Sequence, residues 1–154
     1  MAIETSGHAA FKDNFYLDDG AYLATRIVIL MAALRKEGKS IEDILKNLKM
    51  PAEEKEVRIK IDEEDFAKYG NIVLEDFKKL LDDAKGIERV KMNFEGVKAN
   101  FDKQKGDGWL LLRLSLHEPL LVANCESNSV GGTEKMLETL KAFLSNYKKL
   151  KLNF

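Results

Sequence analysis

Four side chains with binding or catalytic chemistry follow one another closely within the stretch Gly108–Pro119. They are Arg113, Ser115, His117 and Glu118, and apolar runs lie on both sides of them. A guanidinium offers several donors in a fixed fork, and a hydroxyl, an imidazole and free backbone N–H groups beside it suit a phosphate or a carboxylate. The pattern predicts a polar, anion-binding loop between two core strands. A surface hairpin turn with an Arg113–Glu118 ion pair fits it equally well.

A second polar cluster lies at the start of the chain, where Glu4, Ser6 and His8 occur within five residues. Gly7 allows this segment to bend tightly. A carboxylate, a hydroxyl and an imidazole together both accept hydrogen bonds from and donate them to sugar hydroxyls, as a polyol site requires. Alone, the cluster fits an ordinary surface loop equally well. Because domain termini usually fray, its position indicates that the chain is a piece of a longer protein.

Helical patterns precede and follow these loops. Asp18-Asp19-Gly20 supplies N-cap chemistry for a helix over Ala21–Lys36, which is apolar on most faces and is expected to be covered on more than one side. Ser40 is the predicted N-cap of a second helix. Two further helices are predicted, one over residues 71–85 and one from Thr133 onward with Thr133 as its N-cap.

Alternating patterns predict strands in the second part of the chain. Val57–Ile61 reads as a half-buried strand, and Val90–Phe94 and Val97–Phe101 read as a hairpin. Residues 50–54 are a charged linker. The order from residue 55 is thus strand, helix, several antiparallel strands and helix, which predicts an α+β domain whose helices cover a mostly antiparallel sheet.

Bulk composition excludes several protein classes. The 25 Lys and Arg residues nearly balance the 26 Asp and Glu residues, so any anion binding must be local, and neither nucleic acid nor an anionic membrane is an expected partner. The single Cys125 lies in an apolar run, which excludes an internal disulfide and a thiolate metal cluster and favours a cytoplasmic location. No metal site is predicted in the chain.

The two polar clusters form an ordered pair of motifs. The first reads Glu-x-Ser-Gly-His followed by Asp-Asp-Gly, and roughly a hundred residues later the second reads Gly-Trp-x-x-x-Arg-x-Ser-x-x-Glu-Pro. The pair resembles the C-terminal part of the α-D-phosphohexomutases, and within them the bacterial phosphoglucomutase/phosphomannomutase group. Nearly the whole chain takes part in the resemblance.

The resemblance implies an isomerase of carbohydrate metabolism with four domains around one cleft. It would move a phosphoryl group between the 1- and 6-positions of a hexose through a hexose 1,6-bisphosphate intermediate. Residues 1–50 would be the end of the third domain, a helical remnant of an α/β fold, with Glu4, Ser6 and His8 gripping sugar hydroxyls. Residues 51–154 would be the TATA-binding-protein-like fourth domain, with Arg113, Ser115, Leu116 and His117 at the non-reacting phosphate.

Departures from the family pattern are also informative. Leu116 and His117 replace a small residue and a threonine that are common in the phosphate loop, so Leu116 offers only its backbone amide and His117 is an alternative donor. The phosphoserine loop and the Mg²⁺-binding loop of the family are absent from the sequence. The chain alone is therefore expected to be inactive and to depend on the missing N-terminal mutase domains.

Two other functions fit the same residues. The chain could be a stand-alone module that binds a sugar phosphate, or an unrelated α+β interaction domain in which the motifs are coincidental. Glucose and mannose phosphates are not distinguished, since Glu4 could accept hydrogen bonds from the hydroxyls of either epimer.

Overall fold

The structure of the chain is a computed structural model, which describes residues 1–3 and 7–154. Backbone contacts divide the chain into two compact units, Met1–Lys49 and Met50–Phe154. Two of the predicted sugar-binding residues, Glu4 and Ser6, lie outside the described residues. The assignment of residues 1–50 and 51–154 to two domains of the family stays a prediction. None of the described helices is long and apolar enough to cross a membrane.

The first unit is a small hairpin followed by helices. Its elements are β1 (Ala2–Ile3), β2 (Ala9–Ala10), a 3-10 helix (Lys12–Asn14), α1 (Gly20–Lys36) and α2 (Glu42–Leu45). The two strands pair antiparallel. Asp19 caps α1 as predicted from the sequence, because its carboxylate accepts hydrogen bonds from the backbone N–H groups of Ala21 and Tyr22 at 3.0 and 3.1 Å.

Two expectations for this unit were wrong. No residue of α1 is buried, although its sequence predicted cover on several sides; Val28 and Ile29 are 64% and 60% exposed. The second helix is a single turn that begins at Glu42. Ser40 does not cap it through its side chain; instead its backbone N–H donates to the Asp43 carboxylate at 2.8 Å, which is one half of a capping box.

The second unit is an α+β domain, as predicted. Its elements are β3 (Glu53–Ile61), α3 (Phe66–Asp82), β4 (Ile87–Arg89), β5 (Val97–Phe101), β6 (Gly108–Leu114), β7 (Leu120–Ser127), α4 (Gly132–Leu144) and β8 (Leu150–Lys151). The six strands form one sheet in the order β4-β5-β6-β7-β3-β8, and all described pairings are antiparallel. The confirmed architecture places the β6–β7 connection at one end of two central strands.

Helices α3 and α4 cover one face of this sheet. Alternate strand residues such as Leu110, Leu112 and Leu121 are fully buried against them. The helices meet through aromatic rings, with the centroids of Phe77 and Phe143 5.1 Å apart. Because successive strand residues point to opposite faces, the other face carries the polar and charged side chains of the strands together with apolar ones such as Trp109 and Leu111.

Several predicted boundaries shift in the second unit. The predicted linker ends early, because Glu53 and Glu54 already belong to β3. Helix α3 begins at Phe66 rather than residue 71, since the Asp65 carboxylate accepts a hydrogen bond from the backbone N–H of Lys68 at 3.1 Å and caps it. The hairpin pairs β4 with β5, but residues 90–96 form the connection, and Met92 and Phe94 are 82% and 98% exposed.

Helix α4 is capped by a distant strand residue and not by Thr133. The two carboxylate oxygens of Glu53 accept hydrogen bonds from the backbone N–H groups of Gly131 and Thr133 at 2.7 and 3.2 Å, and from the Thr133 hydroxyl at 2.9 Å. The Gly131 and Thr133 donors hold the pKa of Glu53 below its ordinary value. These hydrogen bonds hold the start of β3 against the N-terminus of α4.

Replacing Glu53 with glutamine is expected to destabilise the domain at neutral pH. An amide has one acceptor oxygen, so its NH₂ group would face one of the donors now bound to the carboxylate. Since the folded-state pKa is depressed, the stabilisation is present above the unfolded glutamate pKa of about 4.3 and is lost as the pH falls through the lower folded value.

Urea denaturation at pH 7 and at pH 3 would measure this effect. The difference between the wild-type protein and Glu53→Gln should shrink at the lower pH. Glu54→Gln is the matched control, because Glu54 is exposed on the opposite face of the same strand. Equal denaturation midpoints for wild type and Glu53→Gln at pH 7 would contradict the assigned capping role.

Candidate functional site

The predicted anion loop is the connection between β6 and β7, over residues 115–119. Its base is closed by a hydrogen bond from the backbone N–H of Ser115 to the carbonyl of Leu120 at 2.9 Å. Within the loop, the backbone N–H of Glu118 donates to the Ser115 hydroxyl oxygen at 3.2 Å. That contact leaves the Ser115 hydroxyl hydrogen available as a donor.

The tip of the loop is open to solvent. Leu116 is 86% exposed and His117 is exposed as well. Among the described residues, no protein acceptor receives a hydrogen bond from the backbone N–H of Leu116 or of His117. Two neighbouring N–H groups without a protein partner, beside a hydroxyl, are the kind of donor set that binds an oxyanion.

Arg113 is the penultimate residue of β6, two positions before this loop begins. Its side chain is 33% exposed, and its Nη1 lies 3.4 Å from Oε1 of Glu95 in an ion pair. The hairpin alternative anticipated an ion pair with Glu118; the described structure gives Glu95 as the carboxylate within ion-pair distance instead. Glu95 was not predicted as a site residue, because in the sequence it lies between the two predicted hairpin strands Val90–Phe94 and Val97–Phe101.

Gly96 explains why the residue 90–96 connection lies against Arg113. It adopts a φ of +66°, and a Cβ at this position would lie 2.2 Å from the carbonyl oxygen of Leu112 and 2.8 Å from Cα of Arg113. Only glycine combines this conformation with such close approach. The close approach of residues 90–96 thereby places the Glu95 carboxylate beside the Arg113 guanidinium.

A second arginine shares the face of the sheet that carries Arg113. Arg113 and Arg58 both pair with Val122, from the strands on either side of it, so the three side chains point to the same face. Val122 is only 5% exposed although it lies on the face opposite α3 and α4. Arg58 donates to Glu56 at 2.9 Å, and this hydrogen bond is the main reason that the pKa of Glu56 is lowered.

The position of Arg58 beside Arg113 follows from the register of the strands. The sequence pattern placed Arg58 on the polar face of its strand, but only the pairing of β3 with β7 brings it into line with Arg113, 55 positions later in the chain. In this structure Nε of Arg58 donates to Glu56 at 2.9 Å, whereas Nη1 of Arg113 lies in a longer 3.4 Å contact with Glu95.

The described part of the sugar-binding cluster is His8. Its Nδ1 lies 2.5 Å from Oδ2 of Asp18, ten positions later in the chain, and both side chains are more than half exposed. Because Glu4 and Ser6 lie outside the described residues, the structure does not show whether the three predicted sugar ligands come together.

The described residues offer neither a metal site nor a reactive thiol. Among residues 1–3 and 7–154, no group of three or more His, Cys, Asp and Glu side chains could hold a metal ion. Cys125 is buried, and burial raises the pKa of its thiol to about 11, so it stays a protonated core residue. Arg113 and the residues 115–119 loop are therefore the principal candidate site in the second unit.

Comparisons with known proteins agree with these observations. Residues 1–50 match the family model described as phosphoglucomutase/phosphomannomutase, alpha/beta/alpha domain III. The chain is 25% identical over 147 residues to a phosphoglucomutase of Neisseria gonorrhoeae, which covers 95% of the chain and 29% of that relative. A solved structure of a phosphoglucomutase/phosphomannomutase family protein from Burkholderia thailandensis shares the fold, with a TM-score of 0.66 and 20% identity over 99% of the chain.

The chain spans under a third of each of these two longer proteins, 29% in both cases. The domain match at residues 1–50, the curated relative and the shared fold together confirm the predicted resemblance. Residues 1–50 thus match domain III of the phosphoglucomutase/phosphomannomutase family, and the chain as a whole is similar to the C-terminal part of an α-D-phosphohexomutase.

Proposed function

We propose that the chain recognises the substrate of a phosphoglucomutase/phosphomannomutase, whose reaction is intramolecular 1,6-phosphoryl transfer on a hexose. In this proposal the loop after β6 binds the non-reacting phosphate, and Glu4, Ser6 and His8 bind hexose hydroxyls. The observation that carries the proposal is the donor set of the loop. It consists of Arg113, the Ser115 hydroxyl and the amides of Leu116 and His117, for which residues 1–3 and 7–154 supply no acceptor.

Each donor has a separate task in this proposal. The Arg113 guanidinium supplies charge and two parallel N–H groups, which match two oxygens of a phosphate. The Ser115 hydroxyl and the amides of Leu116 and His117 complete the ring of donors without adding charge. The exposed imidazole of His117 can donate to a further oxygen.

Glu95 would compete with the phosphate for Arg113. The 3.4 Å contact is long and the Glu95 side chain is 62% exposed, so the ion pair is weakly held and easily exchanged for a dianion. The carboxylate would then keep the guanidinium near the loop while no ligand is bound. Binding should accordingly weaken as the salt concentration rises.

The chemical step belongs to other parts of the proposed parent enzyme. Mg²⁺ would neutralise the charge of the moving phosphoryl group there. The described residues of this chain offer no ligand set for the ion, so no step here is assigned to it. A cytoplasmic location and dependence on the N-terminal mutase domains complete the proposal.

Calorimetric titration of the chain with glucose 6-phosphate, mannose 6-phosphate and glucose tests the proposed recognition. Both phosphates should bind and should compete with each other, whereas glucose alone should bind far more weakly, since it lacks the group that the loop contacts. Equal binding of glucose and glucose 6-phosphate would overturn the phosphate role. Submicromolar binding by the chain alone would favour the stand-alone module.

The chain alone is expected to show no mutase turnover. Its sequence lacks the phosphoserine loop and the metal loop of the family, so it holds neither a phosphoryl group to transfer nor a site for the metal. A coupled assay with glucose 1-phosphate, Mg²⁺ and a catalytic amount of glucose 1,6-bisphosphate provides the measurement, and buffer without protein is the blank. Turnover above this blank would contradict the proposal that the chemical step requires other parts of the parent enzyme.

A further inference from the structure

Several cationic side chains lie on the open face of the sheet, which is the face opposite α3 and α4. Arg113 and Arg58 occupy this face. Lys60 stands two positions after Arg58 in β3 and therefore points to the same face. Lys151 of β8 pairs directly with Lys60 and joins them. Four cations thus lie on the open face at the end of the sheet where the residues 115–119 loop begins.

Three of these four cations have a carboxylate partner. The distances between nitrogen and oxygen are 3.4 Å for Arg113 and Glu95, 2.9 Å for Arg58 and Glu56, and 3.2 Å for Lys151 and Asp62. Lys60 is exposed, and no carboxylate in the described part of the chain forms an ion pair with it. The Lys60 ammonium is therefore the cation of this group that is available to a ligand.

The carboxylates near Lys60 have other cations as their main partners. Asp62 stands two positions after Lys60, but its hydrogen bond with Lys151 is the main cause of its lowered pKa, and the charge of Lys60 contributes less. Glu118, the carboxylate of the loop, acts on Arg58 and adds to the rise of its pKa. An anion bound beside the loop would thus find the Lys60 ammonium without a competing carboxylate in contact with it.

Lys60 and Ser115 flank the same residue, Leu120. Lys60 pairs with Leu120 from β3, and the hydrogen bond from the Ser115 N–H to the Leu120 carbonyl continues the pairing of β6 with β7. Leu114 packs against the core on the helix face, so Ser115 returns to the open face, where Lys60 lies. Because neighbouring strands lie about 4.8 Å apart, the backbones of Ser115 and Lys60 are about 10 Å apart across Leu120.

A lysine side chain suits this distance. Its ammonium is carried on a flexible four-carbon stem, which can lie along an apolar side chain such as that of the half-buried Leu120. The ammonium offers three rotatable donors, so it requires no fixed orientation of its acceptor. A phosphate held by Arg113 and the Ser115 hydroxyl would lie on the same face, on the other side of Leu120.

We propose that Lys60 is a further phosphate-binding residue, which reaches over Leu120 and donates to an oxygen of the phosphate that Arg113 and Ser115 hold. The inference rests on the proposed function, since that function identifies the ligand. A phosphate monoester carries roughly 1.5 to 2 negative charges at pH 7. Arg113 balances one of these charges, and Lys60 supplies the second cation from the neighbouring strand.

Lys60→Gln is expected to bind glucose 6-phosphate about three- to tenfold more weakly than the wild-type chain in a calorimetric titration. The loss should be smaller than for Arg113→Gln, because a flexible, exposed ammonium gives up more freedom on binding than a planar fork. Lys60→Arg keeps the charge and should recover most of the affinity. Equal affinities of wild type and Lys60→Gln would overturn the inference, while the proposed function would still be judged by Arg113→Gln.

Lys55→Gln is the matched control. Lys55 lies in the same strand and is exposed, but it points to the helix face, since it pairs with the buried Cys125. Its replacement removes the same charge and should leave the affinity close to that of the wild type. Equal losses of affinity in Lys55→Gln and Lys60→Gln would overturn the inference, because the effect would then come from net charge.

Carbon-13 NMR of the lysine side chains gives a readout that a merely structural role would not move. The Cε signal of Lys60 is assigned by its absence from Lys60→Arg. It should shift on addition of glucose 6-phosphate or inorganic phosphate and should saturate together with the amide signals of residues 113–118. A stationary Lys60 signal during saturable shifts of residues 113–118 would overturn the inference alone. If neither Lys60 nor residues 113–118 respond, the proposed function fails as well.

Discussion

An Arg113→Gln variant is expected to bind glucose 6-phosphate about 10- to 100-fold more weakly than the wild-type chain. A hydrogen bond to a charged group contributes roughly 1.5–3 kcal/mol, and 1.4 kcal/mol corresponds to about a tenfold change in affinity. Arg113 is the arginine beside the loop, and it is only one-third exposed at the end of a central strand. The hydroxyl and the two amides that are left carry no positive charge.

Two further variants separate charge from geometry in this experiment. Arg113→Lys keeps the charge but loses the planar fork, so it should recover only part of the affinity. Arg58→Gln removes the same charge from the same face of the sheet and should cost much less, because Arg58 is engaged by Glu56. Equal losses in Arg113→Gln and Arg58→Gln would indicate general electrostatic attraction in place of a defined phosphate site.

A Gly96→Ala variant is expected to lose both stability and phosphate affinity. The left-handed conformation alone costs a residue with a side chain roughly 1–2 kcal/mol. In addition, the new methyl group would overlap the carbonyl oxygen of Leu112, 2.2 Å away, and would press on Arg113. The connection must therefore move, and with it the strand end that carries the proposed phosphate ligand.

Gly131→Ala is the matched control for this substitution. Gly131 belongs to the same domain and has a φ of +78°, but no atom lies within 4 Å of the position that its Cβ would occupy. It should show the conformational cost alone and bind phosphate as the wild type does. The expected order of stability in urea is wild type, Gly131→Ala, Gly96→Ala. A reversed order, or normal phosphate affinity in Gly96→Ala, would disprove the close packing described.

Much of the fold follows from periodicity. Strands β6 and β7 and the loop between them are predictable, because two long apolar runs flank a short polar segment that ends in a proline. Helix α1 is predictable from its Asp19 cap and its apolar content. Local signals of this kind act over a few residues, and a single sequence displays them fully.

The errors arise where distant residues decide the structure. Thr133 is an acceptable helix cap by type, but Glu53, 80 positions earlier, supplies the acceptors that the helix requires. Met92 and Phe94 alternate like strand residues, yet β4 ends at Arg89 and both side chains are exposed in the connection before Gly96. Propensity and pattern cannot reveal which partner a segment finds, since pairing depends on the assembled sheet.

The candidate site shows the same limit. Arg113 and Ser115 follow from the motif, whereas Glu95 and Arg58 join them only through the hairpin connection and the strand register. The pairing of Asp18 with His8 was not predicted either, because Asp18 and Asp19 were both interpreted as residues of the helix start. The role of His117 stays a prediction, because its exposed ring is placed at the loop but its contact with phosphate depends on the ligand.

The most direct test of the account is an amide NMR titration of the nitrogen-15-labelled chain with glucose 6-phosphate. The backbone signals of residues 113–118 should move progressively and saturate, with the largest shifts at Leu116 and His117, whose N–H groups have no protein acceptor among the described residues. Inorganic phosphate should move the same signals and glucose should not. Saturable binding that leaves residues 113–118 unchanged would contradict the assignment of this loop as the phosphate site.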